Sequence, residues 1–354
     1  MKLSLKTVLR ATLSIAIGLS LAPSSFAGDK GVAYVSNQDG GVTVIDLDTM
    51  EAKGSVDIGA KGPRGIGVTT DGKWLVTANK DSGNISVVDT SGATPAKFVT
   101  IGKNPEFVRV MGDMAYVTYE PSAKSGPPPK PGTKEASDDN KEKIPGRIAI
   151  VDIKQGKVIQ EIIGKPETEG VEFSQDGKEM FVTNESDNSI TVYDLKSGNL
   201  LKSIPVGKYG ERPRGIKTSL DGKTIVTTLE FSDKMLVLND KFEVVKEVAT
   251  GKTPYGISFD RKGERIFVAA NKEKTLQVFD AKTFEKIKDI PTGERCWHFS
   301  FTPDDQQILL ACGRSNEIVV IDVNKLEVTK RISDKDMPWG IVTYPKSMGS
   351  LDKP

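Results

Sequence analysis

Apolar residues along this chain recur in short alternating runs rather than at helical spacing. One unit returns: a Gly, a polar loop often holding Pro, an alternating apolar segment, a tight turn, a second apolar segment, a polar loop, and a third segment ending in Asp. The copies read "GPRGIGVTTDGKWLVTANKDSGNISVVD", "GVEFSQDGKEMFVTNESDNSITVYD", "RPRGIKTSLDGKTIVTTLEFSDKMLVLN", "TPYGISFDRKGERIFVAANKEKTLQVFD" and "RCWHFSFTPDDQQILLACGRSNEIVVID". Alternation over about five residues is the period of a half-buried strand. A partial copy, "GVAYVSNQDGGVTVID", stands near the start.

The third segments end at Asp46, Asp89, Asp152, Asp194, Asn239, Asp280 and Asp322, with spacings of 43, 63, 42, 45, 41 and 42 residues. Seven repeats with a period near 42 predict an all-β, seven-bladed propeller of four-stranded blades. Asp71-Gly72, Asp176-Gly177 and Asp221-Gly222 supply the positive backbone angles that such hairpin turns need. The first copy lacks its leading strand, and "MPWGIVTYPK" (Met337 to Lys346) is a leading strand with nothing after it. Joined as one composite blade, the two ends close the ring and leave no sheet edge of that blade unpaired. The propeller is expected over residues 28–346, with 347–354 a C-terminal tail.

The one long interval is explained by residues 120–146, rich in Pro, Lys, Glu, Ser and Asp, with almost nothing to bury. This loop insertion links a second to a third strand, which puts it on the face where each blade begins. It is read either as an overhang above the central channel or as an ordinary disordered loop. Residues 1–27 have a basic start (Lys2, Lys6, Arg10), an apolar centre and Ala27 at a small-residue site, the pattern of a cleavable signal peptide and an exported, periplasmic protein. Without those three cations the chain carries 46 basic and 48 acidic residues. That balance argues against nucleic-acid binding, and no later segment is apolar enough to be a transmembrane span.

Aligning the leading strands places Arg64, Glu106, Glu169, Arg214, Tyr255, Trp297 and Trp339 at one equivalent position, followed by Gly65, Phe107, Gly170, Gly215, Gly256, His298 and Gly340. The leading strand is innermost, so these positions form a rim around one mouth of the channel. Aromatic side chains on one side, two guanidinium groups on the other and the imidazole of His298 suit a planar anionic ligand. The alternative is structural filling, with Arg64 and Arg214 paired to Glu106 and Glu169. Because most blades carry Gly at the place of His298, His298→Gly is expected to leave the fold intact. Cys296 and Cys312 lie opposite across a hairpin and are read as a disulfide; reduced, they would join His298 as an incomplete soft-metal site.

The single histidine, the absence of C-x-x-C-H and the absence of phosphate-loop, dinucleotide and G-x-S-x-G motifs exclude many catalytic classes. The repeated Asp residues suit turn capping. No catalytic set is assigned, and the reading leans away from an enzyme.

"AYVSN" (Ala33 to Asn37), "LVTAN" (Leu75 to Asn79) and "FVTNE" (Phe181 to Glu185) resemble the YVTN family of β-propeller repeat proteins. "ERPRGIK", "CWHFSFTPDD", "LLACGRSNEIVVID" and "PWGIVTYPKSMGSLD" are similar to periplasmic propellers associated with catabolism dependent on pyrroloquinoline quinone (PQQ). There is a weaker similarity to haem-d1-type propellers. The resemblance implies a non-catalytic binding or scaffold propeller accessory to a quinoprotein alcohol-oxidation or respiratory pathway, with a quinoprotein dehydrogenase or cytochrome as partner. It also implies a PQQ-like or haem-like planar ligand at the rim; the alternative it leaves open is a cofactor-handling propeller with redox or biogenesis activity.

Overall fold

The computed structural model describes residues 30–121, 144–334 and 336–354. The signal-peptide reading and the body of the Pro-rich loop lie outside the described residues. Seven four-stranded antiparallel sheets stand around a central axis. In the composite blade the C-terminal strand Pro338–Tyr344 is innermost, followed by Val32–Asn37, Val42–Asp46 and Glu51–Val56. Tyr34 pairs with Val342 on one side and Val44 on the other, so the two chain ends interlock within one sheet.

Burial falls outward through each blade. The innermost strands Thr168–Phe173, Pro254–Phe259 and Cys296–Phe301 are buried along their whole length. The outermost strands, such as Leu200–Pro205, are mostly exposed. The Asp residues that mark the repeat close the turns after the third strands: the Asp194 carboxylate accepts from the Ser197 backbone N–H at 2.7 Å and the Asp280 carboxylate from that of Thr283 at 2.7 Å.

The recurring motif has a physical task. Its hydroxyl reaches across to the next blade: Thr118 donates to the Glu169 carbonyl at 3.1 Å, Thr183 to that of Arg214 at 2.8 Å, and Thr228 to that of Tyr255 at 2.8 Å, while Ser36 bonds the Arg64 carbonyl. The glycines after the rim residues belong to the same contact. A Cβ on Gly170 would stand 2.4 Å from the Arg214 carbonyl oxygen, and one on Gly256 would stand 2.4 Å from that of Trp297. Blades approach backbone to backbone there, which only Gly permits.

The tail does not hang free. Phe301 N–H donates to the Met348 carbonyl at 2.8 Å and Ser350 N–H to that of Phe299 at 2.9 Å, so residues 347–352 run up the inside of the innermost strand Cys296–Phe301. Leu351 is buried among the central apolar side chains. The last residues therefore fill the channel from the face opposite the mouth.

Candidate functional site

Three rings of equivalent positions surround the mouth. The first is the rim already named. The second follows each second strand: Gln38, Lys80, Glu120, Glu185, Glu230, Asn271 and Gly313. The third lies two residues before the rim: Gly62, Asn104, Glu167, Arg212, Thr253, Arg295 and Met337, every one at positive φ between 49° and 70°. Rings two and three are hydrogen-bonded to each other, as in Glu185 N–H to the Glu167 carbonyl at 2.8 Å and Glu230 N–H to that of Arg212 at 2.9 Å. They enclose a cavity of about 270 Å³ lined mainly by Arg, Glu, Lys, Trp and Tyr.

One half of the mouth is a network of acids around two guanidinium groups. Arg214 pairs with Glu169 at 3.1 Å, with Glu230 at 2.7 Å and with Glu185. Arg212 pairs with Glu230 at 3.0 Å, Glu167 at 3.6 Å and Glu185. Arg64 holds Glu106 and donates to Gln38 at 3.1 Å. The pairing of Arg64 and Arg214 with acids of their own ring is thus present, yet all four side chains line the cavity. Tyr255 donates its hydroxyl to Glu169 at 2.9 Å, and Arg214 lies 4.6 Å from the Tyr255 ring centre.

Crowding of carboxyls in a buried place sets their protonation. Burial pushes the Glu169 carboxyl up to about 7; Arg214 opposes this and Glu106 reinforces it. Burial likewise raises Glu185 well above the carboxylate range, against Arg214 and Arg212. For Glu230 burial acts in the same direction, but Arg214 and Arg212 outweigh it and the carboxyl is held low. The acid side of the mouth therefore holds protons near neutral pH.

The other half is aromatic and basic. Trp297 and Trp339 line the cavity, together with Lys80 and Arg295. Neither Lys80 nor Arg295 belongs to any of the ion pairs among the described residues.

His298 sits one layer below the cavity instead of on its wall. It is 2% exposed, its ring lies 4.4 Å from Trp339 and 5.4 Å from Tyr255, and its Nδ1 is 3.0 Å from the Ser350 hydroxyl of the tail. Burial, then Arg214 and Lys217, push its pKa well down, so the ring is neutral. Substitution by Gly would open a void between Tyr255, Trp339 and the tail, which reverses the expectation that such a variant keeps its stability. Cys296 and Cys312 are joined in a disulfide, so neither sulfur is a free thiolate for a metal. No cluster of three or more His, Cys, Asp or Glu suited to a metal occurs among the described residues.

Beneath His298 a second ionic cluster closes the channel. Glu172 receives Arg109 at 2.6 Å, Lys217 at 3.4 Å and Lys353 at 3.3 Å; Lys217 also donates to the Asp352 carbonyl at 3.1 Å, and Lys346 pairs with Asp352 at 3.0 Å. The tail thus contributes both charge and apolar bulk to the floor. Glu120, where the Pro-rich segment departs, lines the cavity.

Comparison with known proteins agrees with this geometry at the level of fold. Residues 13–109 match the family model of the cytochrome D1 heme domain, and residues 171–285 that of the seven-bladed β-propeller lactonases. The chain is a seven-bladed propeller, and these two stretches are similar to the cytochrome D1 heme domain and to the lactonases respectively. It is distantly related to YncE of Salmonella typhimurium, 23% identical over 202 residues, 56% of this chain and 50% of that protein. The chain spans about half the length of the curated relatives it matches. Among solved structures, a putative 6-phosphogluconolactonase from Bacteroides uniformis aligns with a TM-score of 0.71 at 18% identity, covering 89% of this chain and 100% of that one. The periplasmic gluconolactonase PpgL of Pseudomonas aeruginosa aligns at 0.69 and 15%, covering 88% and 98%. Dihydro-heme d1 dehydrogenase NirN aligns at 0.65 and 18%, covering 91% and 77%. The lactonase-like stretch carries Glu185, Arg212, Arg214, Glu230 and Tyr255, the acid half of the mouth.

Proposed function

We propose that this is an exported, non-catalytic binding propeller of the periplasm, accessory to a quinoprotein alcohol-oxidation or respiratory pathway, and that its mouth holds a compact polycarboxylate of that pathway such as PQQ. The carrying observation is the mouth itself: a cavity open at the mouth with paired acids on one side and, on the other, two tryptophans beside cations that have no ion pair among the described residues. At about 270 Å³ it lies just below the range of ~300–1,000 Å³ usual for pockets of drug-sized ligands. That volume favours a small quinone acid over a tetrapyrrole. The absence of membrane-crossing helices among the described residues is compatible with export. Titration of the purified protein with PQQ, haemin and gluconate, followed by tryptophan fluorescence and native mass spectrometry, tests this. Saturable PQQ binding that weakens in Arg64→Ala supports it; binding of none of the three overturns it. A dehydrogenase or cytochrome captured by the same face would be the partner.

A second reading is favoured by one observation. Glu169, held near a pKa of 7 beside the Tyr255 hydroxyl and Arg214, is placed to exchange a proton with a bound lactone. Hydrolysis of glucono-1,5-lactone above the spontaneous rate, lost in Glu169→Gln, would make the protein a lactonase. A rate equal to buffer removes that reading.

A further inference from the structure

The basic half of the mouth is built around a residue the acid network does not touch. Arg295 lines the cavity, yet its guanidinium makes no hydrogen bond or ion pair among the described residues, and its Nε is buried with no acceptor. A buried guanidinium N–H without an acceptor costs about 1–3 kcal/mol, more when charged. The other arginines of the inner rings, Arg64, Arg212 and Arg214, are each met by carboxylates. The acid whose field reaches Arg295 is Glu230, which Arg212 and Arg214 already hold.

The chain also forces a second cation toward it. Gly313 N–H donates to the Arg295 carbonyl at 3.1 Å and Arg314 N–H to that of Glu294 at 3.2 Å. The disulfide ties the residue after Arg295 to the residue before Gly313. Arg295 and Arg314 are thereby fixed on neighbouring segments, and Arg314 together with burial lowers the pKa of Arg295. Glu294, on the same segment, is engaged by Lys274. Arg295 also occupies the positive-φ ring position where another blade uses Gly62, a backbone region that disfavours a bulky side chain. Gly313 makes room for the neighbouring tryptophan: a Cβ there would lie 2.0 Å from the Trp297 ring. Like charges held together, one desolvated and strained, with no ion pair of their own among the described residues, are what an oxyanion site looks like before its ligand arrives.

We infer that Arg295 and Arg314, held together by the Cys296–Cys312 disulfide at the edge of Trp297, form an oxyanion subsite that takes a carboxylate or phosphate group of the ligand. This rests on the reading of the mouth as a binding site. It gives the disulfide a task beyond stability: it holds the two arginine-bearing segments in register. Lys80 lines the same cavity without an acidic partner among the described residues and adds a third positive charge to that half.

The test is a fluorescence titration of the full oxidised protein with inorganic phosphate, gluconate and the neutral polyol sorbitol, with Arg295→Gln, Arg295→Lys, Arg314→Gln and the double Cys296→Ser/Cys312→Ser variant alongside, circular dichroism confirming their folds. Phosphate and gluconate binding should weaken about tenfold or more in Arg295→Gln, less in Arg314→Gln and Arg295→Lys, and markedly in the double serine variant, while any sorbitol binding stays unchanged. Phosphate and gluconate affinities in Arg295→Gln equal to wild type would overturn the subsite, as would wild-type protein that binds neither anion. A stronger effect with phosphate than with gluconate identifies a phosphoryl group as the occupant, and the reverse a carboxylate. Failure of the parent reading looks different: phosphate binding still depends on Arg295, but neither PQQ nor gluconate adds affinity beyond it.

Discussion

Replacing Glu169 by Gln removes the carboxyl whose proton is held most nearly at neutral pH. In the folded protein it titrates at about 7 against an ordinary value of 4.5, because burial beside Glu106 outweighs the pairing with Arg214. A carboxyl raised in this way contributes stability that is fully present below 4.5 and is lost as pH rises through 7. The 2.5-unit gap between those two values, at ~1.4 kcal/mol per unit, corresponds to about 3 kcal/mol in all. About 2 to 3 kcal/mol of that falls between pH 5 and pH 8. Urea unfolding at the two pH values, read by tryptophan emission, should show wild type losing about this much more than Glu169→Gln. The amide keeps an acceptor for the Tyr255 hydroxyl but has nothing to ionise. An equal loss in both proteins would refute the argument, because the pH dependence would then arise elsewhere, Glu185 being the neighbour to test next.

Glu172→Gln leaves Arg109, Lys217 and Lys353 around an uncharged partner in the channel floor, and should cost about 3–5 kcal/mol of unfolding free energy in the same assay. Leu351→Ala, one residue of the buried tail, should cost about 2–5 kcal/mol; a loss below about 0.5 kcal/mol would mean that the tail is not seated in solution. His298→Gly should lower the melting temperature by several degrees without changing circular dichroism at 25 °C, through the void it leaves beside Trp339. The double serine variant of the disulfide, whose half-cystines are 16 residues apart, should lose about 3 kcal/mol, measured against wild type under non-reducing conditions.

The seven blades and the composite closure were legible because each repeat carries its own alternation and turn, and the period needs no tertiary knowledge. The rim was legible for the same reason: one residue per blade at one position. The rest of the mouth was harder. Glu185 ends the quoted motif FVTNE, and Arg212 stands two residues before Arg214, yet their importance comes from meeting across blade boundaries: Glu185 meets Arg212 and Arg214 at separations of 27 and 29 residues in sequence and at ion-pairing distance in space. Aligning the residues after the second strands, and those two before the rim, would have exposed both rings. His298 was misplaced in depth, by one layer, because periodicity gives the angular position of a residue on the ring but not what covers it. Its cover comes from Ser350, in a tail with no repeat pattern to read.

The order in which the chain is made gives the composite blade and the tail a temporal meaning. The strand that closes the ring and the plug that fills its axis both lie in residues 338–354, after the other six blades in chain order. Until residues 338–354 are made, six blades and three orphan strands can form, but the cylinder stays split and hollow. A chain lacking residues 338–354 is therefore left with both an open seam and an empty axis.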